Sequence, residues 1–72
     1  MKLNSDNRLV FDFNDVLNVI SELSRSQGFY GRLLNSIYEL MECEPERFDM
    51  FVEEIENADF RSSLDVVMYF EG

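Results

Sequence analysis

The 72-residue chain lacks several residue types on which common active sites depend. It contains no histidine and no tryptophan, and its only lysine is Lys2. Without histidine, a Ser–His or Cys–His nucleophile pair cannot form, and imidazole cannot ligate a metal ion. No glycine-rich stretch ends in Lys-Ser or Lys-Thr, which excludes a common type of phosphate-binding loop. These absences predict a protein that is not an enzyme and that uses no cofactor.

Cysteine and long apolar runs are also scarce. Cys43 is the only cysteine, so no internal disulfide can form, whereas secreted domains of this size usually carry several. No apolar run approaches the roughly 20 residues of a membrane span. The opening residues do not show the basic segment and apolar run of a signal peptide. We therefore expect a cytoplasmic protein that does not bind membranes.

Positive charge is in short supply and unevenly distributed. The chain has six basic and fifteen acidic residues, giving a net charge of −9. Residues 1–36 are neutral overall, so residues 37–72 carry the whole excess, with only two arginines among them. Such a field repels phosphate groups and attracts basic surfaces. We expect a protein partner with a basic surface and no direct binding to nucleic acid.

What the chain does have is enough apolar residues for one small domain. Leu, Ile, Val and Phe make up a third of it, well above the proportion of about 20% below which disorder is expected. A chain this short forms a single domain and buries only about 60% of the surface that it exposes when unfolded. It therefore has little room for a catalytic cleft.

Apolar residues recur with helical spacing in four stretches. The spacing predicts helices over about residues 14–27, 29–43, 46–57 and 62–70, each with one apolar face. The residues of these faces are Phe13, Val16, Leu17, Ile20 and Leu23; Tyr30, Leu33, Leu34, Ile37, Tyr38 and Met41; Phe48, Phe51, Val52 and Ile55; and Leu64, Val67 and Met68. Helices this short are stable only when such faces close on one another. The predicted fold class is all-α, a compact bundle of three to four short helices.

Local signals mark where these helices begin and end. Asp12 or Asn14 suits the N-cap of the first helix, and Gly28 suits the left-handed position that follows it. Pro45 is expected as the first residue of the third helix, since proline fits the first turn and interrupts what precedes it. Ser62 is expected to cap the fourth helix.

The two ends of the chain leave one structural question open. We predict a single domain in which residues 1–12 form a short extended arm and residues 13–71 form the helical bundle. The segment Val66–Phe70 is rich in residues that favour strands, so it is the one predicted helix with a serious alternative. The alternative is a strand paired with Leu9–Phe13.

The turn between the first two predicted helices is a candidate interaction site. Two glycines flank adjacent aromatic residues there, and two arginines flank the group; the candidate residues are Arg25, Gln27, Phe29, Tyr30 and Arg32. Arginine beside aromatic side chains is typical of the residues that dominate binding energy at interfaces. The alternative is structural: Gly28 ends a helix, Gly31 permits close helix approach, and Phe29 closes the core.

A second candidate surface is acidic. Its residues are Glu42, Glu46, Asp49, Glu53, Glu54 and Glu56. Their spacing does not match a calcium-binding loop, so no metal site is expected. The carboxylates either keep a small protein in solution, recruit a basic protein, or imitate the phosphates of a nucleic acid to inhibit a DNA- or RNA-binding host protein.

One stretch of sequence resembles a known group. The run Ser26-Gln27-Gly28-Phe29-Tyr30-Gly31-Arg32-Leu33, followed by an acidic helical half, resembles small uncharacterised proteins encoded by phages and plasmids of Gram-positive bacteria. The resemblance implies an accessory role in a mobile element and carries no site residues with it.

The chain also has more apolar side chains than the predicted faces can use. Phe11, Phe60 and Tyr69 fall in loops or near the termini, and Met50 points away from the face of the third helix. We expect this surplus to serve a partner surface, and a homodimer is one form that such a surface would take. The predicted function is a small acidic, non-catalytic protein-protein interaction module.

Overall fold

The computed structural model describes all 72 residues and confirms the all-α fold class. Helices make up 69% of the chain, and the only sheet is a two-stranded antiparallel hairpin at the N-terminus. The elements in chain order are β1 (Lys2–Leu3), β2 (Leu9–Val10), α1 (Phe13–Ser24), α2 (Gly28–Cys43), α3 (Pro45–Asn57) and α4 (Ser63–Glu71).

Three of the helices begin where the sequence indicates, two of them with a capping hydrogen bond and one with a proline. The N-cap of α1 is Asp12, whose carboxylate accepts the N–H of Asp15 at 2.9 Å, while the Asp15 carboxylate accepts the N–H of Asp12 at 3.1 Å. The bond from the Asp15 N–H holds the pKa of the Asp12 carboxyl below its ordinary value. Pro45 is the first residue of α3, and the Ser62 hydroxyl accepts the N–H of Asp65 at the start of α4.

The prediction that Gly28 ends α1 is wrong. The last residue of α1 is Ser24, and the N–H groups of Ser26 and Gln27 both donate to the carbonyl of Leu23. These two bonds end the helix with the backbone of Arg25 still in the right-handed region, so a left-handed residue is not needed. No glycine of the chain has a positive φ. Gly28 is instead the first residue of α2.

All four helices contribute to one apolar core, in which no charged side chain is buried. The eight buried residues of the cluster are Phe13, Val16, Ile20, Tyr30, Ile37, Ile55, Phe60 and Val66. The ring of Phe13 meets those of Phe48 and Phe51 edge-on, at centroid distances of 5.6 and 6.0 Å, so that α1 and α3 share an aromatic contact. Burial of these faces holds together helices that are too short to be stable alone.

The predicted apolar faces of α2 and α4 are partly wrong. Tyr38 and Met41 are 48% and 44% exposed, because the core extends along α2 only as far as Ile37. In α4 the buried residue is Val66, whereas Leu64 and Met68 are 65% and 62% exposed. Since α4 is apolar around most of its circumference, its sequence does not specify which side packs inward.

The N-terminal residues are attached to the bundle rather than extended away from it. In the hairpin, Lys2 pairs with Val10 and Leu3 with Leu9, so the alternative pairing of Leu9–Phe13 with the C-terminal segment is wrong. Val10 is fully buried, and the N–H of Phe11 donates to the carbonyl of Phe60 at 2.7 Å.

The loop between α3 and α4 buries an aromatic residue that was expected at the surface. Asp59 adopts a left-handed conformation with φ of 55°, two residues after the end of α3. The chain reverses there, and Phe60 enters the core with 4% of its surface exposed. Tyr69 packs edge-on against Phe60 at 5.2 Å and stays 41% exposed.

Two substitutions on α3 test the register of its buried face. Ile55→Ala should lower the free energy of unfolding by about 3 kcal/mol, because it leaves a cavity at a fully buried site. Met50→Ala should change it by no more than about 0.5 kcal/mol, because Met50 is 71% exposed on the same helix. Urea denaturation followed by circular dichroism measures both, and equal losses would contradict the register.

Candidate functional site

Four of the five predicted residues at the α1–α2 turn are exposed. Arg25 directly follows α1, Gln27 is the N-cap of α2, and Phe29 and Arg32 lie one turn apart at its start. Neither arginine has a carboxylate within 4.0 Å. The ring of Phe29 is 44% exposed. An unpaired cation beside an accessible aromatic ring is therefore present at this turn.

Tyr30 does not belong to this surface, and its prediction as an interaction residue is wrong. Its side chain is fully buried, and its hydroxyl donates to the Glu71 carboxylate at 2.5 Å, which joins the start of α2 to the end of α4. Burial, together with this hydrogen bond, raises the pKa of Tyr30 to about 12. Adjacent residues of a helix lie about 100° apart, so Tyr30 points into the core while Phe29 lies towards solvent.

The glycines of the turn have no packing role. A β-carbon added at Gly28 or Gly31 would meet no atom within 4 Å. The interpretation that Gly31 permits close helix approach is therefore wrong. Phe29 contacts the edge of Tyr30 at a centroid distance of 5.1 Å and covers this core residue without being buried itself.

Ionisation of the Tyr30 hydroxyl should lower the stability of the fold at alkaline pH. The folded state holds this proton more tightly than the unfolded chain, whose tyrosines titrate near pH 10. The stabilisation is therefore complete below pH 10 and is lost as the pH rises towards 12.

Tyr30→Phe should reduce the loss of stability at alkaline pH. At neutral pH it should lower the free energy of unfolding by about 1 kcal/mol, because the exposed Glu71 carboxylate is hydrated once the hydroxyl is removed. The measurement is the urea midpoint as a function of pH. Tyr38→Phe, at an exposed tyrosine, is the matched control. An unchanged alkaline loss in Tyr30→Phe would contradict the assignment.

Phe29 and its buried neighbour should respond differently to truncation. Phe29→Ala should lower the free energy of unfolding by about 1 kcal/mol, the value of one edge-on ring contact. Tyr30→Ala should cost about 4 kcal/mol, because a large side chain leaves the core. Thermal denaturation compares the two. Unfolding of the Phe29→Ala variant at room temperature would show that Phe29 closes the core.

Three carboxylates form a row on the outer face of α3. Glu46, Asp49 and Glu53 are exposed, and none has a lysine or arginine within 4.0 Å. Spacings of three and four residues place them on one side of the helix, over about 10 Å along its axis. We call these three residues the acidic row. Glu42, also exposed, lies on the last turn of α2 rather than on this helix.

The other two predicted acidic residues have partners within the fold. Glu54 accepts the Tyr69 hydroxyl at 2.7 Å, a bond between α3 and α4 that raises the pKa of Tyr69. Glu56 is half-buried, and one of its carboxylate oxygens lies 3.4 Å from the Lys2 Nζ. Glu56 thus lies at the surface as predicted but is paired with a residue of the distant N-terminal hairpin, which helical spacing does not indicate.

The acidic face of α3 also contains an apolar residue. Met50 is 71% exposed and lies three or four residues from Glu46, Glu53 and Glu54, which places these carboxylates one turn away on either side. An open groove of about 600 Å³ follows this face. The residues that line the groove are Arg47, Met50, Phe51, Glu53, Glu54 and Asn57.

The rest of the molecule shows neither a metal-binding cluster nor a membrane-spanning helix. No group of three or more cysteine, aspartate and glutamate side chains is arranged to hold a metal ion. Cys43 is exposed at the end of α2. None of the four helices combines the length and the hydrophobicity that crossing a membrane requires.

Comparison of the chain with known protein families, curated proteins and solved structures found no match. Its function is therefore inferred from the two exposed surfaces, the α1–α2 turn and the outer face of α3.

Proposed function

We propose that the protein is a non-catalytic protein-protein interaction module that binds a basic partner through the outer face of α3. The observation that carries this proposal is the acidic row, in which Glu46, Asp49 and Glu53 are exposed without a basic residue within 4.0 Å. Like charges on one helix face lower its stability by a few tenths of a kcal/mol per pair. A cationic partner would relieve this repulsion on binding.

The charge distribution supports association by electrostatic attraction. The chain carries −9 overall, and only two of its six basic residues form ion pairs with carboxylates, Lys2 with Glu56 and Arg47 with Glu44. A field of one sign accelerates encounter with an oppositely charged surface and disfavours nucleic acid and anionic lipid. The lone cysteine fits a reducing compartment, and we place the protein in the cytoplasm.

The α1–α2 turn is a second contact surface of the same module. Phe29 offers an apolar anchor, and Arg25 and Arg32 offer hydrogen-bond donors that no carboxylate of the chain occupies. A homodimer would use this turn or the exposed Leu64 and Met68 of α4. The resemblance of the turn to proteins of phages and plasmids suggests an accessory role in a mobile element.

A second candidate function is inhibition by imitation of a nucleic acid. The observation that favours it is the same row of carboxylates, which runs along one helix and has no lysine or arginine within 4.0 Å of any member. Such a surface occupies the phosphate-binding groove of a basic DNA- or RNA-binding protein. This candidate differs from the first in requiring that DNA or RNA compete for the partner.

Neutralising the acidic row should abolish partner binding. The test variant is Glu46→Gln/Asp49→Asn/Glu53→Gln. Wild type and variant are immobilised and exposed to a Gram-positive bacterial lysate at low salt. The variant should not retain the basic proteins that the wild type retains. High salt should release the same proteins from the wild type, because screening weakens attraction between exposed charges. Mass spectrometry identifies what is retained.

The matched control removes the same charge elsewhere. Asp6→Asn/Glu22→Gln/Glu39→Gln neutralises three other exposed acids and should retain the partner. Release of the captured protein by duplex DNA would favour imitation of nucleic acid. Retention that is equal in both triple variants, or insensitive to salt, would contradict the proposed role of α3.

A further inference from the structure

We propose that the groove beside Met50 binds an amphipathic helix of the basic partner, with one apolar side chain of that helix seated between lysine or arginine residues. This inference rests on the function proposed above and names the surface of the partner. It starts from Met50, an apolar side chain 71% exposed in the middle of a charged face.

The positions around Met50 match the spacing of a second helix. Glu46 lies one turn before it, and Glu53 and Glu54 lie one turn after it. A helix with an apolar residue flanked at three or four positions by lysine or arginine would therefore set cations against these carboxylates while its apolar side chain met Met50. The one cation that lines the groove, Arg47, is paired with Glu44 at 3.3 Å, so the unpaired charges around Met50 are carboxylates. Charge complementarity thus selects a basic helix, and the exposed Met50 selects one that is amphipathic.

Two apolar side chains line the groove, one held in place and one adaptable. Phe51 is half-buried, and the edge contact of its ring with Phe13 holds it in place. Met50 has an unbranched, polarizable side chain that adapts to differently shaped apolar partners. These properties suit a groove that receives one side chain of an incoming helix.

The occupant is another protein rather than a second copy of this chain. None of its helices carries two basic residues: α1 and α4 have none, α2 has only Arg32, and α3 has only Arg47. A second copy would also bring a further −9 of charge. Nucleic acid is excluded as an occupant by like charge.

Methionine methyl signals in NMR test this directly. The chain has four methionines, so labelling their methyl groups with ¹³C gives one signal each for Met1, Met41, Met50 and Met68. The probe is a synthetic peptide of about 18 residues made of leucine and lysine, with the leucines at helical spacing. A peptide of the same composition with the leucines scattered around the helix is the control. The amphipathic peptide should shift the Met50 signal selectively and bind more tightly than the scattered peptide.

Truncation of Met50 supplies the second readout. Met50→Ala should weaken binding of the amphipathic peptide about tenfold, because the apolar contact is lost, and should leave binding of the scattered peptide unchanged. Met68→Ala, at a methionine of α4 that is 62% exposed, should change neither affinity. Circular dichroism verifies that each variant is folded.

The outcomes separate this inference from the function on which it rests. One outcome would overturn the inference about the groove and retain the proposed acidic surface. In that outcome both peptides bind equally, the Met50 signal does not shift, and neutralising the acidic row abolishes binding. Absence of binding by either peptide at low salt would overturn both.

Discussion

Burial of one apolar face on each of four short helices is the constraint on which the rest of the molecule depends. None of the helices exceeds the 16 residues of α2, and isolated helices of such lengths are at best marginal in water. They are stabilised by a core in which Ile20, Ile55 and Val66 are completely covered. Because that core contains no charged side chain, the charged residues all lie at or near the surface.

Long-range polar contacts also join the terminal segments to the bundle. Tyr30 bonds Glu71 and Tyr69 bonds Glu54, so that the terminal helix is connected to both α2 and α3. Lys2 reaches Glu56 across 54 positions of sequence. Some carboxylates are therefore structural, and those of the acidic row remain free on the outside.

The two exposed surfaces differ in chemistry in a way that suits a binding module. The α1–α2 turn offers Phe29 with two unpaired arginines, whereas the outer face of α3 offers carboxylates around Met50. Each pairs an apolar contact, which contributes affinity, with charges that select the partner. The proposed basic helix uses the second surface, and the first remains available for another contact.

The amino-acid sequence by itself determined the number and type of helices and several of their ends, because those depend on neighbours within one turn: the capping carboxylate of Asp12, the ring of Pro45 and the hydroxyl of Ser62. It also indicated the exposed acids, since charge avoids an apolar core. Only the tertiary structure decided that Phe60 is buried, that α4 packs through Val66, and that Glu56 is paired. Each of these outcomes depends on which distant segment of the chain covers a side chain. Helical spacing within one segment does not identify that distant segment.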